Sequence, residues 1–169
     1  MLTSAQKVTL QTNILSLTGV GEPNEPVVGP YVVGNLTGTV DYYNALAVPD
    51  FWVWRTAVSR AEIYNDVSPD ATTWSWTTYR NQSATEQNAW VQMFMGDQAN
   101  FAKENLRTGI GAIFTGSAQA NAQRDHCLSA GRRKATRLEK LFATGTGSTA
   151  SPAVMGVEGD LTTTDLVGL

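Results

Sequence analysis

The 169-residue chain has one cysteine, Cys127, and one histidine, His126. A lone thiol excludes an internal disulfide, so oxidising compartments leave no mark here. A zinc-type site needs three or four converging ligands, and this chain has two such residues side by side. Neighbours on a helix point about 100° apart, so the pair is poorly placed to share an ion or to act as nucleophile and base. A buried, small, apolar cysteine is the preferred reading. Charge is scarce as well: 16% of residues are charged, against about a quarter in ordinary globular chains. Such a surface favours a subunit covered by neighbours over a free monomer. Long apolar runs are missing, with nothing near the ~18 residues of a membrane span. Met1 to Lys7 carries no basic stretch followed by an apolar one, so a soluble protein without a secretory leader is expected. At 42% hydrophobic residues the chain still has material for a core, and its length fits one domain with arms.

The net charge of -3 is unevenly spread. Residues 1–123 carry -4, residues 124–140 carry +4, and the last 29 residues carry only Glu158, Asp160 and Asp165. Half of the basic residues therefore sit in a tenth of the chain. A stripe of this kind binds an acidic partner, nucleic acid, or the acidic parts of its own assembly.

Helix signals recur along the sequence. Thr3 with Gln6, Ser59 with Glu62 and Ser83 with Glu86 read as capping boxes, predicting helices near 4–17, from 59 to about 66, and from 83 to Gly96. A short helix is expected near 39–47, closed by Pro49, after a loop enforced by Pro23, Pro26 and Pro30. Asn100 is read as the cap of another helix, running to Gly116. Ser117 opens the longest candidate, to about Ala143, along which Ala120, Cys127 or Leu128, Gly131, Ala135, Leu138 and Phe142 recur at helical spacing. On that helix Arg133, Arg137 and Lys140 would share a face, making Arg132, Arg133, Lys134, Arg137 and Lys140 the candidate face for DNA or an acidic partner. Trp74 to Tyr79 is undecided between helix and strand. The expected fold is mainly α: a small helical bundle over 1–143, with residues 1–35 as N-terminal helix and proline-rich loop. A flexible linker of Gly, Thr and Ser follows at 144–153. Residues 154–169 are read as an extended docking arm with one or two short strands, in which Val154, Met155, Val157, Leu161 and Leu166 seek a neighbour's surface.

Motifs for chemistry are weak. Gly109-Ile-Gly111 lacks the third glycine of a dinucleotide fingerprint, and Gly145-Thr-Gly147-Ser-Thr lacks the lysine of a phosphate loop. Asp66 and Asp70, on either side of Pro69, are read as turn formers. Trp52, Trp54, Trp74 and Trp76 form two Trp-x-Trp units, a candidate stacking platform but one short of interleaved cations, so core or subunit-interface packing is preferred. No catalytic residue, metal or cofactor is expected.

Phe51-Trp-Val-Trp-Arg55, Trp74-Ser-Trp-Thr77, Glu86 to Phe94 with Trp90 and Met93, Asn105-Leu-Arg107 leading to Ile113-Phe114, and Arg132-Arg-Lys-Ala-Thr-Arg-Leu-Glu-Lys-Leu-Phe-Ala-Thr144 together resemble small virion proteins of tailed bacteriophages. The likeness spans about residues 36–165 and points to head–tail connector, or adaptor, proteins. It implies a non-enzymatic structural subunit, made in the host cytoplasm and located in the virion neck. It further implies a twelve-fold homo-oligomeric ring that contacts the portal protein, tail or head-closure proteins, and packaged DNA passing through the channel, with no membrane partner. Other virion posts, namely tail completion, tail terminator and head decoration, belong to the same class. The rival from another class is a nucleic-acid-binding packaging protein acting through the basic residues above.

Overall fold

The computed structural model describes residues 2–17 and 36–167. The proline-rich loop expected before residue 36 lies outside them. In chain order the elements are α1 (Ser4–Ser16), α2 (Leu36–Asn44), β1 (Trp52–Trp54), β2 (Val58–Ser59), α3 (Arg60–Tyr64), α4 (Trp76–Arg80), α5 (Ala84–Met93), β3 (Gln98–Ala99), α6 (Glu104–Ile113), α7 (Ala118–Ala130), β4 (Arg132–Lys134), α8 (Arg137–Phe142) and α9 (Thr163–Leu166). The described chain is thus mainly helical, and none of its helices is long and apolar enough to cross a membrane. It divides into two units: Met1–Phe51 with Lys134–Leu169, and Trp52–Arg133. This differs from the expected division at residues 143 and 153, because the last segment is built into the first unit's core.

In the first unit, α1 opens on the predicted capping box. The Thr3 hydroxyl accepts the Gln6 N–H, and the Gln6 side chain accepts the Thr3 N–H. Leu10 and Ile14 of α1 pack with Tyr43 of α2, Leu138 of α8, and Leu161 and Leu166 from the C-terminal segment. The Tyr43 hydroxyl donates to Asn13 Oδ1 at 2.7 Å, so the buried phenol is satisfied.

The segment expected as a flexible linker is a closed loop. Thr144 and Val154 exchange both backbone hydrogen bonds, at 2.8 and 2.9 Å. Within the loop the Thr146 hydroxyl donates to the Ser151 carbonyl. Gly147 has φ +66°, and its α-carbon lies so close to the Phe51 ring that a side chain there would overlap it. What composition presents as linker is turn chemistry.

The segment beyond it docks on its own chain rather than reaching out. Gly156 N–H donates to the Phe142 carbonyl at 3.1 Å, Leu161 N–H donates to Asn44 Oδ1 at 2.7 Å, and Asn44 Nδ2 donates back to the Leu161 carbonyl. It ends in helix α9 rather than a second strand. Thr162 and Asp165 form its capping box, and the Asp165 carboxylate also accepts the Leu2 N–H at 3.1 Å. Of the five proposed docking residues, Leu161 and Leu166 are core, Val157 packs against that core, Met155 is half-buried, and Val154 is exposed. Apolar side chains in a short tail need cover, and the unit's own surface supplies it.

The second unit is a continuous stretch packed around Trp90, Phe94, Phe101, Ile110 and Phe114. α3 and α5 carry the predicted Ser59/Glu62 and Ser83/Glu86 boxes. The undecided segment resolves as helix α4, capped by the Ser75 hydroxyl. α6 starts later than expected, after Lys103, and Asn100 instead accepts the Ala102 N–H within a turn. β2 pairs antiparallel with β3, Val58 opposite Ala99.

The long helix expected from 117 to 143 is broken. α7 ends at Gly131, whose α-carbon sits against the Phe101 ring where any side chain would collide. β4 follows in extended form as the partner of β1. Thr136 then restarts a helix, its hydroxyl accepting the Glu139 N–H while Glu139 caps the Thr136 N–H. Helical periodicity continues through all three pieces, which is why it misleads.

Candidate interaction surface

The break in the helix redistributes the candidate basic residues. Arg132, Arg133 and Lys134 lie on β4, while only Arg137 and Lys140 lie on a helix, α8. The expected single face carrying Arg133, Arg137 and Lys140 therefore does not form, because successive strand residues alternate sides and Arg133 no longer shares a helical register with the others.

Most of these cations also serve the fold. The Arg132 guanidinium pairs with the Asp70 carboxylate and lies 5.6 Å from the Trp52 ring. Lys134 Nζ is 2.7 Å from Asp50. Arg137 stacks 4.1 Å over the Tyr42 ring and donates to the Tyr42 carbonyl. Lys140 sits 5.7 Å from the Phe51 ring. Each contact holds a cation to a neighbouring segment, a use different from a row of side chains reaching for phosphates.

In the second unit Asp70 begins a chain of polar contacts. It accepts the Ser129 hydroxyl at 2.7 Å; Ser68 Oγ lies 2.6 Å from Ser129 Oγ and 3.1 Å from Thr72 Oγ1. Thr72 Oγ1 is 2.9 Å from His126 Nδ1, and His126 Nε2 is 2.9 Å from the Ile63 carbonyl. A carbonyl only accepts, so the proton of that contact is on Nε2. His126 is fully buried, so this network ties the 66–75 loop to α7 without offering the imidazole to a solvent-borne substrate. Asp66 likewise shapes the turn, with φ +58° and its carboxylate accepting the Trp74 N–H. Cys127 is fully buried, and desolvation pushes its thiol well above the ordinary range. That disfavours the thiolate that nucleophiles and metal ligands require. Among the described residues no group of three His, Cys, Asp or Glu side chains converges for a metal.

The paired tryptophans separate as well. Trp74 is buried and stacks on Trp90 at 5.4 Å, while Trp76 is 50% exposed and stands edge-on to Trp74 at 78°. Perpendicular rings give no shared stacking face.

Two concave surfaces lie on the first unit. A groove of about 380 Å³ runs between α1, α2 and α8, floored by Leu17, Tyr43, Ala47 and Leu141 and edged by Val48, Arg137 and Lys140. A smaller hollow of about 200 Å³ lies along residues 156–161, lined by Leu2, Leu138 and Val157 together with Glu158, Asp160 and Asp165. The groove combines apolar walls with two cations, and the hollow combines apolar walls with carboxylates. The acids and Lys140 stand out in the sequence. Val48 does not, although its place in the apolar run Leu46-Ala-Val-Pro49 is a usable signal. No protein-family model, curated protein or solved structure matches the chain.

Proposed function

We propose that this chain is a structural subunit of a tailed-phage virion, of head–tail connector or adaptor type. Each subunit contributes a small helical bundle to a ring between portal and tail. The reading is carried by the set of sequence motifs that resemble such proteins over residues 36–165. Where those motifs lie in the fold supports a structural role. Trp54, Trp74, Trp90, Ile113 and Phe114 are core residues, and Arg107 of the Asn105-Leu-Arg107 motif stacks 4.7 Å from the Trp54 ring. The first and last motifs also run side by side, Ala135 N–H donating to the Phe51 carbonyl at 2.8 Å. Motifs spent on packing suit a scaffold part. The rival packaging-protein reading draws less support, since Arg132 and Lys134 are paired with Asp70 and Asp50.

The test is the copy number and position of this chain in assembled particles. A copy number equal to the portal's, with density directly beneath it, is the expected result. Copies spread over the capsid lattice, or a protein absent from the finished particle, would refute the connector assignment.

A further inference from the structure

The first unit carries two surfaces of opposite charge, each mixed with exposed apolar side chains. In the groove, Lys140 and Arg137 stand beside Val48, which is 73% exposed, and Leu46 two residues earlier is 55% exposed. Among the described residues no carboxylate lines it. In the hollow, Asp160 and Glu158 stand beside Val157, with exposed Val154 and Val167 on the flanking chain. α8 contributes to both, Leu138 to the hollow and Lys140 to the groove, two residues apart and so about 160° apart around the helix. The two surfaces therefore flank one helix.

We infer that the groove is occupied by a second copy of this chain, which inserts its 156–160 segment so that Asp160 meets Lys140 and apolar residues beside each charge pack together. The inference rests on the reading of the chain as a self-assembling subunit. Charge complementarity selects the occupant, because an acidic surface with apolar neighbours, opposite in charge to the groove, is present on the same molecule. DNA is a poorer fit, since Leu17, Ala47, Val48 and Leu141 offer phosphates nothing. Each copy that uses its groove leaves its own 156–160 segment open, so the contact is head-to-tail and propagates until it closes into a ring. The ionic part is screened by salt while the apolar part is not, so assembly weakens as ionic strength rises without vanishing.

Sedimentation velocity on the full-length protein, over a range of concentrations and salt, tests this through a charge swap. Lys140→Glu sets a carboxylate against Asp160, and Asp160→Lys sets two ammonium groups together, so each variant alone should need at least about tenfold more protein to assemble. In an equimolar mixture the two variants alternate around the ring, which restores opposite charges at every contact, so the mixture should assemble as the unaltered protein does. Both side chains reach solvent, and circular dichroism confirms that each variant is folded; Val48→Thr supplies an uncharged variant with the same expected direction. Assembly that ignores these changes, or variants that weaken it without rescue on mixing, overturns the contact while leaving a ring-forming subunit intact. Protein that stops at dimers overturns the head-to-tail geometry. Protein that stays monomeric at every concentration overturns the inference, and the position in the particle then judges the functional reading separately.

Discussion

Gly131 decides where the longest apolar pattern in the chain stops being a helix. Its backbone lies in an ordinary right-handed conformation, φ -75°, so the requirement is for space and not for conformational freedom. The Phe101 ring fills the place of a side chain. Gly131→Ala should destabilise the protein by about 1–3 kcal/mol, the usual cost of overpacking, measured by urea unfolding. Adding Phe101→Leu should recover part of that loss, since the two positions touch and their effects do not add. A second residue-level prediction concerns Asp165. The Thr162 hydroxyl above all, helped by the Leu2 and Thr162 amides, holds its carboxyl below the ordinary carboxylate range despite burial. A depressed folded-state value contributes stability that is present above the unfolded carboxyl value of about 3.9 and is lost as pH falls through the lower folded one. Stability measured from pH 6 downward should therefore drop below about pH 4, and Asp165→Asn should flatten that part of the profile. An unchanged acid limb in the variant would show that Asp165 is not responsible.

At the scale of elements, capping chemistry sets more boundaries than periodicity does. Among the described residues five helices begin with a reciprocal box, at Thr3, Ser59, Ser83, Thr136 and Thr162. Replacing Thr136 by Ala should cost about 1 kcal/mol, read from the same denaturation curves, and should loosen α8 first. Amide exchange in 137–142 that stays as slow as before would contradict this. Three of these boxes are legible in the sequence and place α1, α3 and α5 correctly. The Thr136/Glu139 and Thr162/Asp165 boxes have the same spacing but lie inside stretches that an apolar stripe, in one case, and an extended arm, in the other, already explain. That accounts for the two main errors, the unbroken helix and the outward-reaching tail. The linker misleads for a related reason: Gly, Thr and Ser populate both mobile spacers and tight turns, and only the Thr144–Val154 pairing and the Phe51 ring distinguish them. The groove is barely legible, because α1, Tyr42 and Lys140 are brought together by contacts far apart in sequence.

For the whole molecule, the two units differ in how their cores are assembled. The second is one uninterrupted stretch, 52–133, whose ends meet through the Arg55 N–H and the Gly131 carbonyl at 2.9 Å. The first draws Leu10 and Ile14 from near one end of the chain and Leu161 and Leu166 from near the other, around Tyr43 and Leu138. Removing residues 154–169 therefore strips two fully covered leucines from the first core, where even a single buried Leu→Ala change costs about 2–5 kcal/mol. A domain's entire stability is only about 5–15 kcal/mol. The truncated chain should lose the first unit's fold, in contrast to the extended docking arm expected from the sequence. All five tryptophans lie in the second unit, at 52, 54, 74, 76 and 90, so their fluorescence reports on that unit alone. Its core shares no buried residue with the first. Truncation should thus leave tryptophan emission and its urea midpoint nearly unchanged, while helical circular dichroism falls and limited proteolysis opens sites in 4–16 and 137–142. A truncated protein that keeps its full dichroism and resists proteolysis would show that the C-terminal segment is an ornament on the first core rather than part of it. Leu166→Ala in the intact chain separates lost packing from lost chain, and it should produce a milder form of the same pattern.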